Sequence, residues 1–214
     1  MNAASQFSPL SLSAEAQLLE QVQQISRGRL AKLASTIDHG YYPLDVMSTL
    51  GASGALGIHL NRSGGRYDLA LAAMNEVTRS CGSTGFLMWC HDVCGLYMEQ
   101  SGNPALLARL DAHAKGETFG GTALSNPMKT FAGIESMVFR ARKVPGGYKV
   151  SGTLPWVSHI AKGQYCGAIA KVEKADGTTS HEIMFLLDVD DTVDLGACPE
   201  FSGMEGTSTW RSEE

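Results

Sequence analysis

The spacing of apolar residues changes near residue 116. Before that point it follows a helical period. Leu18, Val22, Ile25, Leu33 and Ile37 fall on one face, with Ser13 placed to cap the helix. Tyr41-Tyr42-Pro43 interrupts the run, and PLDVMSTLGASGAL predicts a short helix after it. HLNRSGG reads as a loop. Asp68 then opens a helix reaching Val77 and Cys81, and a buried helix runs from Ser83 to about Met98. Asn103-Pro104 supplies a cap and a first-turn proline for ALLARLDAHAK, which Gly116 closes.

Beyond Gly116 the segments ETFGGTAL, SMVFRARKV, GYKVSGTL, YCGAIAKVEK and HEIMFLLDV predict strands. Pro145-Gly146-Gly147 and the Lys174–Gly177 stretch predict hairpin turns between them. In GTALSNP the apolar stretch stops at Ser125-Asn126-Pro127. Proline cannot donate to a sheet ladder, so the strand is expected to end or turn there. Helices first and antiparallel strands second predict an α+β chain, with an N-terminal helical domain over 1–116 and a β domain over 117–214.

Composition narrows the function classes. The 214 residues are 43% hydrophobic and 18% charged, with a formal net charge of −5 and no long basic run, which disfavours nucleic acid as a partner. The N-terminus lacks a basic segment followed by an apolar one, and STGFLMWCHDVCGLYM is too short and too polar to span a bilayer. Five cysteines, Cys81, Cys90, Cys94, Cys166 and Cys198, and no secretory signal predict a reducing, cytoplasmic setting. Cys90 and Cys94 share a helix face, His91 points elsewhere, and no second ligand pair follows, so no metal site is expected. The six histidines stand singly. No dinucleotide fingerprint, P-loop, GxSxG or HExxH is present.

The order of segments resembles the acyl-CoA dehydrogenase family of flavoproteins. ALAAMNEVTRSCGSTGFLMWCH is similar to the family's central helix pair. LLARLDAHAKGETFGGTALSNP is similar to the exit from the helical domain into a first strand ending in Thr-Glu-Pro. GGYKVSGTLPWVSHI is similar to the strand, turn and strand carrying an aromatic residue beside the flavin, and FSGMEGTST to a late glycine- and hydroxyl-rich turn.

The resemblance implies a helical domain, a middle antiparallel β-barrel, bound FAD and an acyl-CoA substrate. Leu124 and Ser125 would meet the pyrimidine edge of the flavin through backbone amides and the Ser125 hydroxyl. Trp156 would lie against the ring, and Ser158 would approach N5 or O4. Asn126 stands where the family has glutamate. MKTFAGIES replaces a Gly-Ser-Asp run, leaving Thr130 and Lys129 as candidates for phosphate or substrate.

The family's general base lies in a C-terminal helical domain. The chain is therefore expected to be truncated, to lack that base and to be inactive alone. The family also implies an electron-transfer flavoprotein partner and a homo-oligomer. A flavin-dependent monooxygenase of the same fold, and a non-catalytic truncated product, are the alternative expectations.

Overall fold

The computed structural model describes residues 12–197, 200 and 202–213, so Cys198 and Phe201 lie outside it. Two compact units emerge, Met1–Phe119 with Phe201–Thr207, and Gly120–Glu200 with Ser208–Glu214.

The first unit is helical. Helix α1 (Leu12–Ile25) continues through a wider π turn (Ser26–Leu30) into α2 (Ala31–Asp38). Ser13 lies inside α1, so it is not the residue preceding the helix that a cap requires. The π turn shifts the phase of the apolar face, which puts Leu30 fully in the core between Val22 and Ile37. Helix α3 (Leu44–Ala52) stops earlier than expected, at the glycine turn of Gly54, whose φ is +88°. The segment after it stays buried through Ala55, Leu56, Ile58 and Leu60.

Helix α4 (Tyr67–Ser80) begins one residue before Asp68, which sits in its first turn rather than at its cap. Helix α5 (Gly82–Gln100) is the long central element, with Leu87, Met88, Cys90, Cys94 and Met98 fully buried. Gly85 lets α4 and α5 approach closely. A Cβ there would lie 2.9 Å from the Thr78 Cα. Asn103 caps α6 (Pro104–Leu107) by accepting from the Ala105 N–H at 3.0 Å. The expected single helix is broken, because a turn separates α6 from α7 (Leu110–Ala114). Asn103→Ala is expected to destabilise the helical unit by about 1 kcal/mol in a urea titration, the usual worth of a lost helix cap.

Among the described residues the second unit holds eight strands. In order they are β1 (Gly120–Thr122), β2 (Arg140–Val144), β3 (Gly147–Ser151), β4 (Thr153–Val157), β5 (Tyr165–Glu173), β6 (Thr179–Asp188), β7 (Asp194–Ala197) and β8 (Trp210–Glu213). Both predicted hairpins form. β2 pairs with β3 across Pro145-Gly146, and β5 with β6 across the Lys174–Gly177 turn.

The expected antiparallel barrel is corrected. The larger sheet is mixed, because β1 and β2 share one edge of β5 and both run parallel to it. Residues 165–167 pair with β1 and residues 171–173 with β2. β4, β8 and β7 form a separate antiparallel sheet. Alternation in β5 turns Cys166, Ala168, Ala170 and Val172 inward against Phe139, Leu154 and Val157, so the two sheets share one core.

A short helix α8 (Ser125–Phe131) follows β1. Ser125-Asn126-Pro127 is therefore its first turn and not a strand end. Proline is tolerated there because the first N–H groups of a helix have no partner inside it.

Among the described residues, no helix is long and apolar enough to cross a membrane, and no group of three His, Cys, Asp or Glu side chains is placed to hold a metal ion. Cys81, Cys90, Cys94 and Cys166 are buried, and burial pushes the Cys90 thiol far up.

Candidate functional site

The end of β1 meets the end of β4. Thr122 forms an antiparallel bridge with Ser158. The contact needs glycine at 121, because a Cβ there would lie 2.3 Å from the Ser158 carbonyl oxygen and 2.6 Å from that of His159. Both are main-chain atoms, so no side chain can swing away to make room. The chain turns sharply after Ser158, with buried His159 at a φ of +58°.

This approach sets the Leu124–Ser125 segment beside the Trp156–Ser158 segment. Irregular pairing between Leu154 and Val157 leaves Pro155 and Trp156 both facing outward. Val157 points into the core, so Trp156 and Ser158 flank it on the outer side. Trp156 is 43% exposed. The Ser158 hydroxyl is 2.7 Å from the Thr209 hydroxyl. Beside it, Ser208 donates to the Ile160 carbonyl and accepts from the Trp210 indole N–H.

Asn126 anchors this corner from below. It is buried, its amide N–H groups reach Glu135 Oε1 and the Ser136 carbonyl at 2.9 Å each, and its Oδ1 accepts from the Val138 N–H at 2.9 Å. Thr130 donates to the Asn126 carbonyl at 3.0 Å, and Lys129 lies 3.6 Å from Glu135. Both phosphate candidates thus already have partners within α8 and its return. The backbone N–H groups of Leu124 and Ser125, and the Ser125 hydroxyl, make no hydrogen bond among the described residues.

The structure therefore brings Leu124, Ser125, Trp156 and Ser158 to one corner of the β unit. A partly exposed aromatic plane stands close to unpaired main-chain donors and a hydroxyl pair. That combination suits a flat conjugated ring with a polar edge, the chemistry of a flavin.

Comparisons with known proteins bear on the family. Residues 13–117 match the family model described as acyl-CoA dehydrogenase, N-terminal domain. Over those residues the chain carries an acyl-CoA dehydrogenase N-terminal domain. A mitochondrial isovaleryl-CoA dehydrogenase of Oryza sativa subsp. japonica is 29% identical over 171 residues, covering 76% of this chain and 42% of that protein.

Solved structures share the fold at lower identity. Butyryl-CoA dehydrogenase from Megasphaera elsdenii superposes with a TM-score of 0.78 at 18% identity, covering 96% of this chain and 56% of that one. A glutaryl-CoA dehydrogenase from Mycobacterium smegmatis in complex with FADH2 gives 0.77 at 17%, covering 95% and 53%. A dibenzothiophene monooxygenase from Paenibacillus sp. A11-2 gives 0.73 at 17%, covering 92% and 50%. The chain spans about half the length of the relatives it matches.

One constellation has no local signal in the sequence. His59, His91 and His113, scattered singly along the chain, meet with Asp92 inside the helical unit. No spacing rule joins residues drawn from a loop and two helices.

Proposed function

We propose that this chain supplies the helical unit and the flavin-facing β unit of an FAD-dependent acyl-CoA dehydrogenase, which oxidises the α,β C–C bond of an acyl-CoA thioester. The Thr122–Ser158 bridge carries the reading, because it sets the two candidate flavin segments side by side. Leu124 and Ser125 would hold the pyrimidine edge through their unpaired N–H groups, and Trp156 would cover one face of the ring. The Ser158 hydroxyl pairs with that of Thr209, and would offer its own proton to an outward hydrogen bond when Thr209 is the donor. FAD, when bound, supplies a two-electron acceptor. Thr130 and Lys129 remain the phosphate candidates, and reaching a ligand would require each to leave its present partner.

The resemblance assigns the α-proton base to a part of the relatives beyond these 214 residues. The purified polypeptide is therefore expected to form little or no enoyl-CoA by itself, and robust turnover would contradict the assignment. In the active assembly, electrons would pass to an electron-transfer flavoprotein, and a homo-oligomer is expected. The fold is shared with a monooxygenase, whereas the sequence match runs to an isovaleryl-CoA dehydrogenase, which favours the dehydrogenase reaction. A flavin hydroperoxide seen on mixing the reduced, FAD-loaded protein with oxygen would favour the monooxygenase instead.

The direct test is an FAD titration followed by tryptophan fluorescence. Wild-type emission is expected to fall on binding. Trp156→Leu is expected to lose that part of the quenching and to weaken FAD binding about tenfold, in line with the loss of an aromatic contact. Unchanged quenching and affinity would remove Trp156 from the site.

A further inference from the structure

Three imidazoles and one carboxyl are packed together beneath the middle of α5. The His91 and His113 rings stack with centroids 3.6 Å apart and planes 11° from parallel. Each Nε2 reaches the other residue's main-chain carbonyl, at 3.0 Å and 2.9 Å. A carbonyl oxygen only accepts, so both rings carry their proton on Nε2. His59, on the turn after α3, donates from Nε2 to the Asp92 carbonyl at 2.8 Å. Its Nδ1 lies 3.8 Å from Asp92 Oδ1, too far for a hydrogen bond. That nitrogen and both Asp92 carboxyl oxygens have no hydrogen-bond partner among the described residues. Gly95 leaves the space for this packing, since a Cβ there would stand 3.1 Å from His113 Nε2 and 3.5 Å from His59 Nε2.

We propose that this cluster is an acid-sensitive latch, which ties α7 and the 53–60 turn to α5 while its imidazoles are neutral and releases them when protons are added. The hydrogen bonds of His59, His91 and His113 and the stacked pair join these elements through the rings themselves. A proton on either stacked ring would place a buried charge face to face with its neighbour, and Asp92 offers no countercharge while it is itself protonated.

Burial sets the protonation states. It pushes His91 down to about 3, with His59 adding to the effect. It lowers His59, which its bond to the Asp92 carbonyl and the charge of Glu99 partly oppose. It holds Asp92 well above the usual carboxylate range. Glu99, near the end of α5, accepts from the Asn61 N–H. Helices α2, α4 and α6 and the 205–207 turn also pack on α5 and contribute no further charge acting on His59, His91 or Asp92.

The signs follow by linkage. A histidine with a lowered folded pKa contributes stability that is full above its unfolded value of 6.5 and is lost as pH falls toward the folded value. Asp92 acts oppositely, because its raised pKa makes stability fall as pH rises from 3.8. Where pH lies below 6.5 but above the lowered histidine values, and below the raised Asp92 value, two histidines resist protonation and one carboxyl retains its proton, a net of one proton, or about tenfold in the unfolding equilibrium per pH unit.

Amide hydrogen exchange on the full chain at pH 7.5 and 5.0, corrected for the intrinsic rate, tests the proposal. Protection of residues 57–60 and 110–116 is expected to fall at least tenfold at pH 5.0, while α1 and α4 keep theirs. Asp92→Asn is expected to steepen the acid loss toward a hundredfold per pH unit, since it removes the opposing proton and keeps the shape. Equal protection at both pH values, loss spread evenly over the helical unit, or a flatter acid response in Asp92→Asn would each overturn the latch. Should that variant fail to fold, the wild-type exchange pattern decides alone.

Discussion

Gly121→Ala is expected to abolish FAD binding and to destabilise the β unit by about 3 kcal/mol, the upper end of overpacking costs. The added methyl would fall 2.3 Å and 2.6 Å from two carbonyl oxygens of the 158–159 turn. Relief requires β1 to move away from Ser158, which breaks the Thr122–Ser158 bridge and separates the two halves of the proposed ring site. Stability and binding should therefore fall together, in urea unfolding and in FAD titration of the same variant. An alanine variant with wild-type stability would show that the strands tolerate a wider approach. One that is destabilised but still binds FAD would detach the bridge from the cofactor.

Asn126→Ala is expected to cost about 3 kcal/mol, because three hydrogen bonds disappear at once and leave the Ser136 carbonyl and the Val138 N–H without their partner. The loss should also weaken FAD binding, since Asn126 stands directly after Ser125 and fixes α8 to the 135–138 return. Asn126→Asp is expected to recover little. Aspartate keeps the acceptor for Val138 but turns oxygens toward Glu135 and the Ser136 carbonyl, where the amide now donates. Denaturant midpoints for the two variants check this. A wild-type midpoint for either would mean that the clamp is dispensable.

These two residues show what the sequence makes legible. The change of period near Gly116, the long buried α5 and both hairpins follow from local pattern, and the structure has them. Leu124, Ser125, Trp156 and Ser158 stand out through resemblance to a family, and the fold brings them to one corner. Strand partners are less legible. Nothing in the alternation of β5 says that β1 and β2 will share its edge in parallel, because pairing is decided by long-range packing and crossover geometry. Ser125-Asn126-Pro127 carries turn chemistry that serves equally well as the first turn of a helix, and only the return at 135–138 decides between them. The histidine cluster has no local signal, since His59, His91 and His113 reach it from separate elements.

The most direct measurement is thermal unfolding of the full chain with and without saturating FAD. A ligand that binds only the folded form raises stability by about 2.7 kcal/mol at a hundredfold excess over its Kd. The flavin-site assignment predicts a clear upward shift of the β unit's transition, smaller in Trp156→Leu and absent in Gly121→Ala. No shift in the wild-type chain at saturating FAD would contradict it.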